Sequence, residues 1–220
     1  MIAFSGIDGA GKSTQIDLLK DYLELNGKKV LVFWSRGGYT PGMIFVKKLL
    51  GFSANENKIK HSESRQHIKR EKSLSNPTIR KLWLILSIID LICYYSIYIR
   101  IKEIFGITIL CDRYIKDTEI DFRLNFPQER FYNWWLWSLL EHSSTIPEKH
   151  FVATIPVDES IRRSKLKNEP FPDSKQVLDM RLEIYRKFAR EELYTVGING
   201  LNTIEEIHAH ILFELNLIVE

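Results

Sequence analysis

Cysteine is scarce: there are two in 220 residues, Cys93 and Cys111. Both sit in apolar runs and read as buried small hydrophobes, so a disulfide framework and a cysteine metal cage are excluded. A strong charge of either sign is also missing. The net charge is +3 and the pI about 8.7, without the concentrated basic face of a nucleic-acid binder. The histidines at 61, 67, 142, 150, 208 and 210 have no metal-ligand spacing. His208 and His210, two apart on an expected helix, point to different faces. There are no internal repeats and no low-complexity tract. No charged-then-apolar leader precedes the first strand-like run, so the expected compartment is the reducing cytoplasm.

What is present is ordinary globular material, 45% hydrophobic and 27% charged, enough for a sizeable core. The expected organisation is a single domain over residues 1–220. One run challenges a soluble reading. Leu82 to Ile101 is almost wholly apolar and about 20 residues long, which is enough to span a bilayer. Asp90 sits in its middle, however, and an intramembrane carboxylate is costly. A span here would also separate two segments that must lie side by side, the glycine-rich loop near the N-terminus and the strand ending at Asp112. The run is therefore read as a long core helix with a possible dimer face, and no membrane partner is expected.

Apolar periodicity organises the rest. Ile2 to Ser5 and Lys29 to Trp34 read as buried strands, with helical spacing between them at Ile16, Leu19 and Leu23. A glycine-rich loop at 37–42, a short helix over Met43–Leu50 and a polar excursion over 53–76 follow. Ile107 to Cys111 is a third strand closed by Asp112. Helical sequence is expected over 128–140, a strand over 149–155, helices over 158–167 and 174–192, a strand over 194–198, and a last helix capped by Thr203. Strands alternating with helices predict an α/β fold: a five-stranded parallel sheet flanked by helices on both faces, with a small helical lid at about 158–173.

The chemistry-bearing motif is Gly6-Ile7-Asp8-Gly9-Ala10-Gly11-Lys12-Ser13, a full match to G-x-x-x-x-G-K-[ST]. It stands between a strand and an amphipathic helix, the context that gives the pattern meaning. The backbone N–H groups of Gly6, Gly9, Ala10, Gly11 and Thr14 can turn onto phosphate oxygens, and the helix expected over Gly11–Leu25 presents its positive end to an anion. Lys12 would reach the β- and γ-phosphates of ATP, and Ser13 would place its hydroxyl on Mg²⁺. Asp112, ending a buried strand, is the expected second metal residue. The fold expected is that of a P-loop NTPase. No guanine-reading Asn-Lys-x-Asp is present, so the nucleotide is ATP rather than GTP.

Phe4-Ser5-Gly6-Ile7-Asp8-Gly9-Ala10-Gly11-Lys12-Ser13-Thr14-Gln15, followed by Asp112-Arg113-Tyr114, resembles the thymidylate kinase family. The order of loop, long helix, Asp-Arg-Tyr, basic lid and closing strand and helix is similar along most of the chain. The resemblance implies transfer of the ATP γ-phosphoryl group to the phosphate of dTMP, by a homodimer. It places Asp8 near the acceptor sugar and Arg113 on the acceptor phosphate. Arg36 is the nearest match to a second phosphate-binding arginine, although the family has two more residues before the glycines. Arg162 and Arg163 lie in the lid, where some relatives carry a catalytic arginine.

The acceptor pocket departs from the family. Leu86-Ser87-Ile88-Ile89-Asp90 stands where relatives carry an aromatic platform and a donor arginine. Asp117 replaces a serine and Asp121 a tyrosine. Asp90, Asp117 and Asp121 are candidate acceptor-binding residues, and carboxylates there would favour hydroxyl or amino donors over thymine O4. Two explanations compete. Either the alignment is off by a turn, with Arg80 or Tyr94 serving, or the acceptor is a sugar, a nucleoside or another nucleotide. Trp134, Trp135 and Trp137 are read as packing rather than as a base platform.

Overall fold

The computed structural model describes residues 1–34, 76–167 and 173–218. Arg36, the loop and short helix after the second strand, the polar excursion and Glu169–Pro172 lie outside the described residues. Five strands form one parallel sheet: β1 (Ile2–Gly6), β2 (Lys29–Trp34), β3 (Ile107–Asp112), β4 (Lys149–Thr154) and β5 (Thr195–Asn199), in the order β2-β3-β1-β4-β5. β1 is thus flanked by β3 and β4. Phe4 is in register with Asp112 and Gly6 with Ala153. The acidic strand and the loop-bearing strand therefore end side by side, as the sequence requires.

Helices cover both faces, because strands buried on both sides need apolar cover above and below. One layer packs α1 (Lys12–Leu25), α7 (Lys175–Glu191) and α8 (Ile204–Glu214) on the sheet through Ile16, Leu19, Leu182, Tyr185 and Ile211. The other layer uses α2 (Pro77–Ile92), α3 (Ile99–Ile104), α4 (Ile115–Asn125) and α5 (Trp135–Ser143), with Leu84, Ile88, Tyr95, Phe122 and Trp137 inside it. α6 (Val157–Leu166) carries Arg162 and Arg163. The α8 start is a capping box: Thr203 Oγ1 accepts from Glu206 N at 3.2 Å and Glu206 accepts from Thr203 N at 3.0 Å.

The long apolar helix runs from Pro77 to Ile104 through a π-helical turn at Cys93–Tyr98. The turn leaves the Tyr95 carbonyl able to accept from Thr145 N and Thr145 Oγ1, each at 3.1 Å. Leu84, Ile88, Leu91, Tyr95 and Ile99 face inward at helical spacing, while Leu82, Ile85, Ile89, Ile97 and Ile101 face outward. By length and composition the helix could cross a membrane, but its inward face belongs to the core of the sheet.

Two expectations are corrected. Cys93 is exposed on the π turn, and only Cys111 is buried; both thiols are free. The helical sequence expected over 128–140 divides into a 3₁₀ turn at Phe131–Asn133 and α5, and an additional helix, α4, precedes it. α4 hides from periodicity because its buried side includes Asp117, Thr118 and Asp121 beside Ile120 and Phe122. Within the tryptophan cluster, Trp137 is core whereas Trp135 is exposed.

Candidate active site

The phosphate loop leaves β1 where the chain passes closest to β4. Gly6 has φ +137°, and a Cβ there would lie 2.0 Å from the Ala153 carbonyl oxygen, so only glycine opens the loop. Lys12 folds back and donates to the Gly6 and Ile7 carbonyls, both at 2.9 Å. Two of its three ammonium protons shape the loop and one is left for an anion. Burial, and then the nearby Arg113, lowers the Lys12 pKa to about 8. Ser13 and Thr14 are exposed in the first turn of α1, with their hydroxyls at the positive end of the helix.

Asp112 ends β3 beside this loop. Its Oδ1 is buried without a hydrogen-bond partner among the described residues, and burial raises its pKa. An orphaned buried carboxylate oxygen at a strand end suits a hard cation. Among the described residues no group of three His, Cys, Asp or Glu side chains could hold a metal. The donor set therefore fits an ion that takes most of its ligands from phosphate and water, as Mg²⁺ does.

Arg113 is the next residue, and it is strained: its φ of +76° is left-handed for a non-glycine side chain. Its N–H donates to the Phe4 carbonyl at 2.8 Å, which fixes the turn. Its guanidinium donates to Asp8 Oδ1 at 2.7 Å and lies 3.8 Å from Asp117 Oδ1. Burial opposes the charge, yet Tyr185, Asp117, Asp8 and Asp121 push its pKa up.

α6 docks directly on the loop. Ser160 Oγ donates to the Asp8 carbonyl at 2.7 Å. Arg163 Nη1 donates to the carbonyls of Gly9 and Gly200, each at 3.1 Å. Arg162, mostly exposed, pairs with Glu159 at 2.7 Å. Hydrogen bonds from Arg162 and Arg163 hold the Glu159 carboxyl down to about 2. The two lid arginines thus differ: Arg163 is a clamp between α6, the loop and the β5–α8 turn, and Arg162 faces solvent.

Asp117 and Asp121 are not placed in an acceptor pocket. Asp117 is 1% exposed. Its carboxylate accepts from Ser5 Oγ, from Tyr114 N at 2.9 Å and from Tyr185 OH at 2.7 Å. Asp121, also buried, pairs with Arg181 at 2.6 Å. Both carboxylates face α7 because that helix supplies donors where solvent cannot reach. Asp90 is half-buried, its Oδ2 lacks a hydrogen-bond partner among the described residues, and burial raises its pKa to about 6. Arg113 pairs with Asp8 and Asp117 and not with Asp90 among the described residues. Arg80 is held by Glu129 at 2.8 Å, and Tyr94 stacks on Phe33.

Ser5, His150, Ser160, Arg181, Tyr185 and Gly200 were not singled out from the sequence. Gly200 had a readable signal: it is a glycine between the last strand and its helix. A Cβ there would lie 2.7 Å from the Ala10 carbonyl oxygen, so it allows that turn to touch the phosphate loop.

Sheet order, loop and strand-end carboxylate together define a P-loop nucleotide-binding fold. No protein-family model matches the chain. It is 51% identical over 57 residues to the thymidylate kinase of Thermosipho africanus, a stretch covering 26% of this chain and 28% of that protein. It is 25% identical over 228 residues to the thymidylate kinase of Fervidobacterium nodosum, covering 98% of both. It is 27% identical over 220 residues to that of Plasmodium falciparum, covering 99% of this chain and 90% of the other. The chain is similar to these thymidylate kinases, at about half identity in one short stretch and at about a quarter along its length.

Proposed function

We propose that the protein is a single-domain, ATP- and Mg²⁺-dependent nucleoside monophosphate kinase with dTMP as its acceptor. The observation that carries this reading is the meeting of Lys12, Asp8 and Arg113 at the ends of β1 and β3. Lys12 and the loop N–H groups, with Gly9, Ala10, Gly11 and Thr14, hold the ATP phosphates. Ser13 and Asp112 would hold magnesium, which when bound neutralises charge on the β- and γ-phosphoryl oxygens. Arg113 and Arg36 hold the acceptor phosphate, whose oxygen attacks the γ-phosphorus as ADP leaves. Asp8 stands by the acceptor sugar and holds the Arg113 guanidinium beside it, and Arg162 supplies positive charge from the lid while Arg163 holds the lid in place. Two like-charged reactants are brought together by these cations, so catalysis rests on positioning and neutralisation.

The inward turn of Asp117 and Asp121 supports dTMP, since it removes two carboxylates that thymine O4 would avoid. Asp90 favours a second reading, an acceptor presenting a hydroxyl or amino donor. The outward face of the long helix, Leu82, Ile85, Ile89, Ile97 and Ile101, fits a homodimer in the cytoplasm rather than a membrane partner, and no nucleic-acid partner is proposed. ADP release measured with ATP and Mg²⁺ against dTMP, dUMP, other nucleoside monophosphates, nucleosides and sugars tests the reading. Turnover with dTMP is expected. Turnover confined to another acceptor overturns dTMP, and ATP binding without any acceptor-dependent turnover overturns the kinase.

A further inference from the structure

α4 and α7 meet through polar side chains deep inside the protein. Asp117 and Asp121 are one turn apart on α4, and Arg181 and Tyr185 are one turn apart on α7. All four are buried. They pair crosswise, Asp117 with Tyr185 and Asp121 with Arg181, as two rungs between antiparallel helices. Arg181 also reaches Asp173 at 2.8 Å, at the end of the lid segment. Burying this much charge is expensive unless every group is matched. A packing role alone would be served by apolar residues.

The upper rung leads to the site. Asp117 Oδ2 takes the Ser5 hydroxyl proton and the Tyr114 N–H. A carboxylate has no proton to return, so Ser5 must in turn accept from His150 Nε2, 2.7 Å away. That fixes the tautomer of a buried, neutral His150, whose pKa burial lowers to about 4. Asp117 Oδ1 takes the Tyr185 hydroxyl at 2.7 Å and lies 3.8 Å from Arg113 Nη1. One oxygen thus joins α7 to the strained arginine beside the phosphate loop.

We propose that Asp117, held by the Tyr185 hydroxyl, is a positioning residue for Arg113, setting where its guanidinium stands between Asp8 and the acceptor's phosphoryl group. This rests on the reading that Arg113 binds acceptor phosphate. Tyr185 and Asp117 touch neither substrate. Their effect reaches the reaction only through the guanidinium, so it should fall on the acceptor and spare ATP.

Tyr185→Phe removes one hydroxyl and keeps the ring in the core. Its acceptor KM should rise about tenfold, the loss expected for one hydrogen bond to a charged group, with ATP KM unchanged. Leu182→Ala, on the same helix, loses stability by packing alone and should leave both KM values in place. An unchanged acceptor KM in Tyr185→Phe, or an equal rise in Leu182→Ala, overturns the proposal. A readout independent of turnover is the Arg113 Nε–H resonance. It should shift and exchange faster with solvent in Tyr185→Phe and not in Leu182→Ala, and a resonance that stays in place overturns the positioning role. If the unaltered protein turns over no acceptor, the kinase reading fails and this resonance alone decides the positioning. Should Tyr185→Phe not fold, Asp117→Asn, which keeps the side-chain shape, gives the same readouts.

Discussion

The phosphate loop and helix α4 flank the same guanidinium and are built on opposite principles. From Gly6 to Ser13 the groups proposed to bind phosphate are mainly backbone N–H donors, turned by the glycines, with Lys12 as the main added cation. Along α4 the working groups are carboxylates taken out of water and matched by another helix: Asp117 by Tyr185, Asp121 by Arg181. A backbone site is chemically complete once the chain turns. A buried carboxylate is complete only when its partner docks, because an unmatched charge cannot stay ionised in the interior. Damage to the loop should therefore appear in turnover with the fold intact. Damage along α4 and α7 should appear in stability, except where it reaches Arg113.

The sharpest contrast is between Lys12→Ala and Arg181→Met. Lys12→Ala should cut kcat by at least about 100-fold, the scale for losing one preorganised charge-stabilising donor, with a far-ultraviolet spectrum and melting midpoint like those of the unaltered protein. Wild-type-like turnover in that variant would refute the loop assignment. Arg181→Met removes the guanidinium that pairs with buried Asp121, and removing one member of a buried pair costs about 3–5 kcal/mol. Denaturant unfolding should show that loss, and the remaining folded fraction should keep its ATP KM. A stable Arg181→Met protein with weakened ATP binding would reverse the comparison.

His150 gives a smaller effect with a definite sign. Its folded-state pKa is depressed from 6.5 to about 4 by burial. Above pH 6.5 the ring is neutral in both states and its stability contribution is fully present. As pH falls from 6.5 to 4 the unfolded chain takes up a proton that the folded protein refuses, so stability is lost over that window. Linkage sets the loss at up to about 3 kcal/mol. Denaturant curves at pH 7 and pH 4.5 measure it, and His150→Gln should flatten the difference. The smallest effect is expected from Arg36→Ala, which should raise acceptor KM by about tenfold through loss of one charge-assisted phosphate contact. If its effect falls on ATP alone, the arginine has been given to the wrong reactant.

Much of the fold was readable because it follows from periodicity. β2 and β3 end where the apolar runs end, and Thr203 caps α8 as its residue type suggests. Helix α4 was missed for a physical reason: its inward side is partly acidic, and polarity normally signals solvent. The same bias made Asp117 and Asp121 look like pocket residues. Their direction is set by Tyr185 and Arg181, more than 50 residues away in sequence, and no local pattern shows it. Arg162 and Arg163, adjacent and alike in type, were separated only by docking, since one lies over Gly9 and Gly200 and the other over solvent.

The sequence by itself determined the phosphate loop, the strand-end carboxylate, the alternation of strands and helices and the similarity to thymidylate kinases. Each is written in residues close together in the chain, where glycine geometry and apolar spacing act locally. Tertiary structure alone decided which carboxylates face the site, which lid arginine clamps the loop, and that Arg113 is held in a left-handed turn between Asp8 and Asp117. Those outcomes depend on which donors meet which acceptors after packing, and burial forces that matching only once the helices have docked.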